Sequence, residues 1–273
     1  IETLDLNLKY FGFRWWHLFK VKKKLSELNI NEFDLIIDLQ SKLRNTIILK
    51  QIPTKEFYSS TLNFFFCSKK KKYLSKSRIV EKTINNLEIF FDTNIEYKDN
   101  VFEQIDNIYV KEAERLLPNK NYVALSITQG NLYRKKSWPI NKVVDLAKKI
   151  VHLKKIPVFF IEKNDAVLKK KLNDIIPEAL FPENETNLNS PALVACMGKR
   201  VNVAITIDNG VMHMLSIGKT PLVILFGPTD PKKFAPTYNA VKILDSKELN
   251  NTSEINSINV EDVLEAAKQY LEL

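Results

Sequence analysis

One stretch, VAITIDNGVMHMLSIGKTPLVILFGPTDP at 203–231, gathers residue types suited to chemistry: Asp208, Asn209, Gly210, His213, Thr229 and Asp230. The chain has only six glycines, and three of them, Gly210, Gly218 and Gly227, fall here. A helix start exposes unpaired amides with a partial positive charge, and a glycine there lets a ligand approach the backbone, so an anion, most simply a phosphate, is the natural guest of Gly210. Asp208 has the acceptors to bind sugar hydroxyls, and the Thr229 hydroxyl with nearby amides has the donors for a second phosphate. A purely structural reading stands beside this one: Asp208 and Asn209 cap the helix, and Gly227-Pro228-Thr229-Asp230 is a tight turn. His213, in the first helical turn, either faces the ligand or packs.

A second constellation is TQGNLYRKKSWP, Thr128–Pro139. Lys135 or Lys136 would supply a full positive charge to a diphosphate, with Thr128 and Gln129 in the same loop. Trp138-Pro139 would start the next helix and anchor the loop by burial. The alternative is that these lysines are solvent-facing loop residues.

The elements that must position these groups follow from periodicity. Val203–Ile207 is a β-branched run stopped by turn residues, and reads as a buried strand. Val211, Met214, Leu215 and Ile217 predict a helix closed by Gly218, with Pro221 behind it. "PLVILFG" is then a second buried strand, parallel to the first, so both end at the edge where open α/β sheets bind ligands. Upstream, "YVALSIT" at 122–128 and "PVFFIE" at 157–162 read as strands around a helix at Ile140–Leu153. Ser190-Pro191 opens a helix over Ala192–Lys199 as N-cap and first-turn proline. Val260–Leu271 is an amphipathic helix with Glu261 and Asp262 in its first turn. In the first half, strands are expected at Thr3–Leu8 and Phe33–Gln40, and helices at about Trp15–Leu28 and Ile79–Phe91. Lys111–Leu117 reads as a helix end, and Pro118–Asn121 as an interdomain linker.

The chain has 273 residues, 45% of them hydrophobic, which fits two domains of roughly 100–150 residues each. The expected division is 1–117 and 118–273, each half α/β with a parallel sheet. No apolar run reaches the roughly 18–20 residues that span a bilayer, and no signal-peptide pattern opens the chain, which predicts a cytoplasmic protein. Cys67 and Cys196 lie far apart without CxxC or His-rich surroundings; neither a disulfide framework nor a metal site is indicated, and both are expected in the core. The net charge of +9 is largely lysine, clustered at Lys20, Lys22–Lys24 and Lys69–Lys72, with Lys76 and Arg78. Such clusters suit an anionic partner or are simply solvated faces. The lysines are not interleaved with aromatics in a nucleic-acid-binding motif, so no nucleic acid is expected. No strand is followed by GxGxxG, which sets a nicotinamide enzyme aside.

Together these segments resemble the heptosyltransferases of glycosyltransferase family 9, the ADP-heptose:lipopolysaccharide transferases. Four elements carry the likeness in order: "FDLIIDLQSKLRN" from Phe33; Lys136-Ser137-Trp138-Pro139; Asp208-Asn209-Gly210-Val211-Met212-His213; and Phe226-Gly227-Pro228-Thr229-Asp230-Pro231. The resemblance implies a GT-B fold, two Rossmann-like domains facing a cleft, the second binding a nucleotide sugar and the first an acceptor. It implies inverting, metal-independent transfer without a cofactor. By position, Lys136 would contact the diphosphate and Asp208 the donor sugar or nucleotide, these two carrying catalysis. Asn209, Gly210 and Val211 would hold the phosphates through backbone amides, and Thr128, Gln129, His213 and Thr229 would line the pocket. The implied partners are an ADP-heptose-like donor, an acidic glycolipid acceptor and a peripheral contact with the inner-membrane surface. The chain departs from the family where Thr128-Gln129-Gly130 replaces Pro-Gly-Ala and Asn209 replaces Ser or Thr. The family's opening strand, whose Gly-Asp element holds the proposed general base, has no counterpart; it is expected before Ile1. Asp38 is a conceivable substitute, though a strand-end aspartate needs no catalytic role. A degenerate, non-catalytic relative that binds nucleotide or nucleic acid is the alternative.

Overall fold

The computed structural model describes residues 16–28, 31–74, 79–96, 101–119, 121–126, 136–162 and 165–271. Thr128, Gln129, Lys135 and the strand expected at Thr3–Leu8 lie outside the described residues. The chain divides into two compact units, Ile1–Tyr97 and Lys98–Leu273. No helix among the described residues is long and apolar enough to cross a membrane.

In the first unit, helix α1 (His17–Glu27) buries Val21 and Leu25, four residues apart on one face, and turns Lys22 and Lys23 to solvent. Strand β1 (Phe33–Asp38), helix α2 (Leu43–Leu49) and strand β2 (Thr54–Ser59) follow, the strands parallel from Phe33↔Thr54 to Asp38↔Ser59. The strand expected to run to Gln40 stops at Asp38 because that side chain closes a turn: Oδ1 accepts from the amides of Gln40 and Ser41, both at 3.1 Å. Oδ2 accepts from Thr46 Oγ1 at 2.6 Å and Ser59 Oγ at 2.9 Å. With four donors on a buried carboxylate, Asp38 ties β1, α2 and β2 together. Helix α3 (Ile79–Phe91) contributes Phe90, whose ring meets Tyr58 of β2 edge-on at 5.6 Å.

The second unit opens with α4 (Asn107–Leu116), capped by Asp106, which accepts from the Ile108 amide at 3.0 Å. Strand β3 (Tyr122–Ser126), helix α5 (Ile140–His152), strand β4 (Ile156–Phe159), helix α6 (Ala166–Ile175) and helix α7 (Pro191–Gly198) come next. Ser190 accepts from the Ala192 amide at 3.2 Å with Pro191 behind it, the expected cap. Then follow β5 (Val203–Ile207), α8 (Gly210–Ile217), β6 (Leu222–Phe226), the single turn α9 (Pro231–Phe234), β7 (Val241–Asp245), α10 (Ser246–Asn250) and α11 (Val260–Leu271). The unit begins about twenty residues before the turn at Pro118 because α4 precedes β3 and packs on α7: Ala113 and Leu117 join Leu193, Val194 and Met197 in one apolar layer.

The five strands are all parallel, in the order β4-β3-β5-β6-β7. Every residue of β3, β5 and β6 is buried, as a sheet covered by helices on both faces requires. One face packs on α5 and α11, the other on α4, α7 and α8. From β3 the chain passes to β4 on one side and returns to β5 on the other, so the strand order reverses between β3 and β5. A crevice at the C-terminal ends of strands opens at such a reversal. Both cysteines are buried and free, and burial pushes the thiol of each above its ordinary pKa.

Candidate functional site

The reversal point carries the Asp-Asn-Gly turn. Strand register sets Ser126 beside Thr206, so Asp208, two residues on, emerges from the sheet edge just past the end of β3. Asn209 spans the crevice: Nδ2 donates to Ser126 O at 3.2 Å and to Ser126 Oγ at 3.0 Å. Its Oδ1 accepts from the Met212 amide at 3.0 Å, making it the N-cap of α8. Asn209 is therefore both cap and cross-strand tie. The amides of Gly210 and Val211 lie in the same first turn, with no carbonyl four residues behind them in the helix. Among the described residues, a Cβ added to Gly210 would meet only Met214 Cε, at 3.9 Å, so none of them fills the space in front of this helix start.

Lys136 and Asp208, seventy-two residues apart in sequence, form an ion pair in this structure. Lys136 Nζ also lies 3.4 Å from the Asp208 carbonyl oxygen and 5.9 Å from the centre of the Phe234 ring. The two side chains are only 12% and 9% exposed, which places this pair closer to a buried than to a surface salt bridge. Trp138 fixes the loop that carries Lys136: its buried indole donates to Ile258 O at 3.2 Å. Lys142 adds bonds to Ile258 O at 2.8 Å and Asn256 O at 2.7 Å. The same segment meets the loop after β6, where a Cβ on Gly227 would lie 2.8 Å from Ile255 Cβ and 2.9 Å from Ile255 N. Residues 255–258 thus hold both loops of the site.

Thr229 lies in that second loop; its Oγ1 is shielded from solvent and has no hydrogen-bond partner among the described residues. An unpaired buried hydroxyl is unfavourable unless something else satisfies it. His213 faces solvent on α8. Crowding by protein on its inner side holds its pKa below the ordinary imidazole value; Asp208 opposes this shift and Lys136 adds to it. The structure therefore gathers Lys136, Asp208, Asn209, Gly210 and Val211 at one crevice, with His213 on the adjoining helix and Thr229 in the loop after the neighbouring strand.

The structure adds detail to the helix and one residue that the sequence did not flag. The buried residues of α8 are Met212 and Leu215, whereas Ile217 is exposed and Val211 and Met214 only partly covered. Gly218 closes α8 as expected, with φ −81°, and the left-handed residue that follows is Lys219 (φ 53°). Gly218 also serves packing, since a Cβ there would sit 3.0 Å from Ala195 O of α7. Ser126 was missed altogether: a lone serine ending an apolar strand carries no motif, and only the sheet register shows it facing Asn209.

The family model for glycosyltransferase family 9 (heptosyltransferase) matches residues 19–264. Comparison with curated proteins gave no significant match. Among solved structures, a family 9 glycosyltransferase from Veillonella parvula aligns with TM-score 0.71 and 18% identity, over 93% of this chain and 78% of that one. E. coli heptosyltransferase WaaC with ADP aligns with TM-score 0.68 and 14% identity, over 94% and 79%. E. coli ADP-heptose lps heptosyltransferase II aligns with TM-score 0.64 and 13% identity, over 93% and 80%. At these identities the structures establish the α/β fold with parallel sheets, that of GT-B glycosyltransferases. With the family model covering most of its length, the chain belongs to glycosyltransferase family 9, the heptosyltransferases.

Proposed function

We propose that this chain moves a heptose, or a closely related sugar, from an ADP-sugar to an acidic glycolipid of the lipopolysaccharide-core type, with inversion and without a metal ion. The observation that carries this reading is the pairing of a helix start at Gly210, left clear by the described residues, with the Lys136–Asp208 ion pair at the strand-order reversal. Departure of a nucleoside diphosphate develops negative charge on the phosphate oxygens. The first-turn amides of α8 and the Lys136 ammonium meet that charge in a crevice shielded from water, which is where such interactions are strongest. Asp208, held by Lys136 in the free protein, is the acceptor for donor-sugar hydroxyls once the ammonium turns to the diphosphate. Thr229 Oγ1, without a hydrogen-bond partner among the described residues, gains one when a phosphate enters. The fold likeness to a relative with ADP supports adenine as the base. The acceptor's hydroxyl proton needs a base that none of these residues supplies: Asp38 has four donors on its carboxylate and is structural. We assign acceptor binding to the first unit, with cytoplasmic placement and peripheral contact with the membrane.

The test is calorimetric titration of ADP and UDP, without divalent metal, into the chain and into a Lys136→Ala/Asp208→Ala variant. ADP binding to the parent and not to the variant supports the reading. A folded parent that binds neither nucleotide overturns it, and favours a non-catalytic binding module.

A further inference from the structure

The lysine run Lys69–Lys72 does not act as a block. It follows the buried Cys67 as irregular chain, and successive side chains alternate. Lys69 turns inward, 2.9 Å from Glu56 Oε1 and 4.8 Å from the centre of the Phe90 ring. Lys71 pairs with Asp92, and Tyr73 stacks on Phe64 with ring centres 4.4 Å apart. Lys70, Lys72 and Leu74 turn outward and are exposed. The nearby acids Glu56 and Asp92 are occupied by the inward lysines, so the outward pair is left as net positive charge; among the described residues neither Lys70 nor Lys72 has an ion-pair partner.

Just before this stripe the backbone is strained. Leu62, Asn63 and Phe64 have φ of 48°, 51° and 63°, three successive non-glycine residues in the left-handed region. L-residues avoid that region, and such strain persists only where the surroundings enforce it. Here the stacked Phe64, the Cys67 amide bonded to Phe64 O at 3.0 Å and the Ser68 amide bonded to Phe57 O at 2.9 Å hold it. The effect is to turn Leu62 and Phe65 out into water, 61% and 67% exposed. Lys70 Nζ bonds Phe65 O at 2.6 Å and lies 5.5 Å from the centre of its ring, so apolar tip and cation are joined in one rigid piece.

We infer that Leu62, Phe65, Lys70, Lys72 and Leu74 form a docking surface for an anionic lipid bilayer. Leucine and phenylalanine suit the boundary of headgroups and acyl chains, and lysines beside them reach lipid phosphates while their stems stay in apolar surroundings. A nucleic acid would match the charge but give the leucines nothing to enter. The inference rests on the reading above only for its setting, a glycolipid acceptor at a membrane. The two stand or fall on different measurements.

The experiment is co-sedimentation of the full chain with phosphatidylcholine vesicles, with and without phosphatidylglycerol, and with no glycolipid present. The expected result is binding only with phosphatidylglycerol and weakened by salt. Lys70→Gln/Lys72→Gln should lower the partition coefficient about 30-fold at low salt, and Leu62→Ser/Phe65→Ser about tenfold or more. ADP titration of each variant reports the donor site in the second unit separately, and circular dichroism with a thermal melt checks that the first unit keeps its fold. Phe65→Trp should add blue-shifted emission with phosphatidylglycerol vesicles. Absence of vesicle binding, binding unaffected by both double variants, or binding to RNA in place of vesicles overturns the inference.

Discussion

Replacing Lys136 by methionine separates two roles that one ion pair combines. The pair is about nine-tenths buried on both sides, so the substitution strands the Asp208 carboxylate in a poorly solvated crevice. Breaking a buried pair in this way costs about 3 kcal/mol, which for a unit of this size lowers its Tm by roughly 6–12 °C. Removing both charges in Lys136→Met/Asp208→Asn should return stability to within about 1 kcal/mol of the parent, since no uncompensated charge remains. Affinity should behave differently. A charged hydrogen bond to a diphosphate contributes about 1.5–3 kcal/mol, so both variants should bind ADP roughly 10–150-fold more weakly than the parent, the single variant more weakly still because Asp208 then repels the phosphates. Thermal melts and ADP calorimetry without divalent metal, run on all three proteins, read the two effects independently. A double variant that binds ADP as the parent does would refute a diphosphate role for Lys136. A single variant as stable as the double would refute the burial argument.

Gly210→Ala should leave the fold intact or raise its stability by up to about 1 kcal/mol, because among the described residues the new Cβ meets only Met214 Cε and helix propensity improves. It should weaken ADP binding about tenfold by filling the approach to the first-turn amides; unchanged affinity in calorimetry would place the phosphates elsewhere. Gly227→Ala should do the reverse, lowering stability by about 1–3 kcal/mol in a denaturant melt because Ile255 backbone and side chain both obstruct the methyl group; a loss below experimental error would show that the 255–258 segment yields easily. His213 should titrate by NMR below the ordinary imidazole value. A depressed folded pKa contributes stability that is present above the unfolded value and lost as pH falls through the folded one; His213→Gln should flatten that acid-side decline. In Asp208→Asn the midpoint should fall further, since the carboxylate that favours the imidazolium is gone, and a midpoint that rises would refute the assigned causes.

Much of the second sheet was legible because its strands are buried on both faces and bounded by turn residues. Val203–Ile207 and Val260–Leu271 were delimited to the residue, the one by an abrupt Asp-Asn-Gly, the other by acidic residues at its start. The edge strand β7 was not anticipated: Lys242 and Ile243 are both exposed, so it has neither the continuous apolar run of a central strand nor a clean alternation. Strand β2, Thr-Lys-Glu-Phe-Tyr-Ser, is half polar, and what identifies it is its register against β1. Helix α2 escaped because it is short and its N-cap position is Lys42, which gives no side-chain cap.

The site shows the same division between local and distant information. Cap, glycine and helix start are encoded within a few residues, and so the turn at 208–210 could be read directly as a place where chemistry is feasible. What makes it a site is non-local. Ser126 ties to Asn209 across 83 residues, Lys136 reaches Asp208 across 72, and Trp138 is held by Ile258 across 120. The Gly227 glycine illustrates the limit well: its spacing suggested phosphate chemistry, yet its missing Cβ makes room for Ile255, and the segment Ile255 belongs to also accepts the Trp138 indole. A glycine that looked like part of a phosphate loop therefore acts one step back from it, by letting one stretch of chain brace the two loops that carry Lys136 and Thr229. Substitutions along 255–258, far in sequence from every motif, should accordingly perturb the site as strongly as changes beside the ligand.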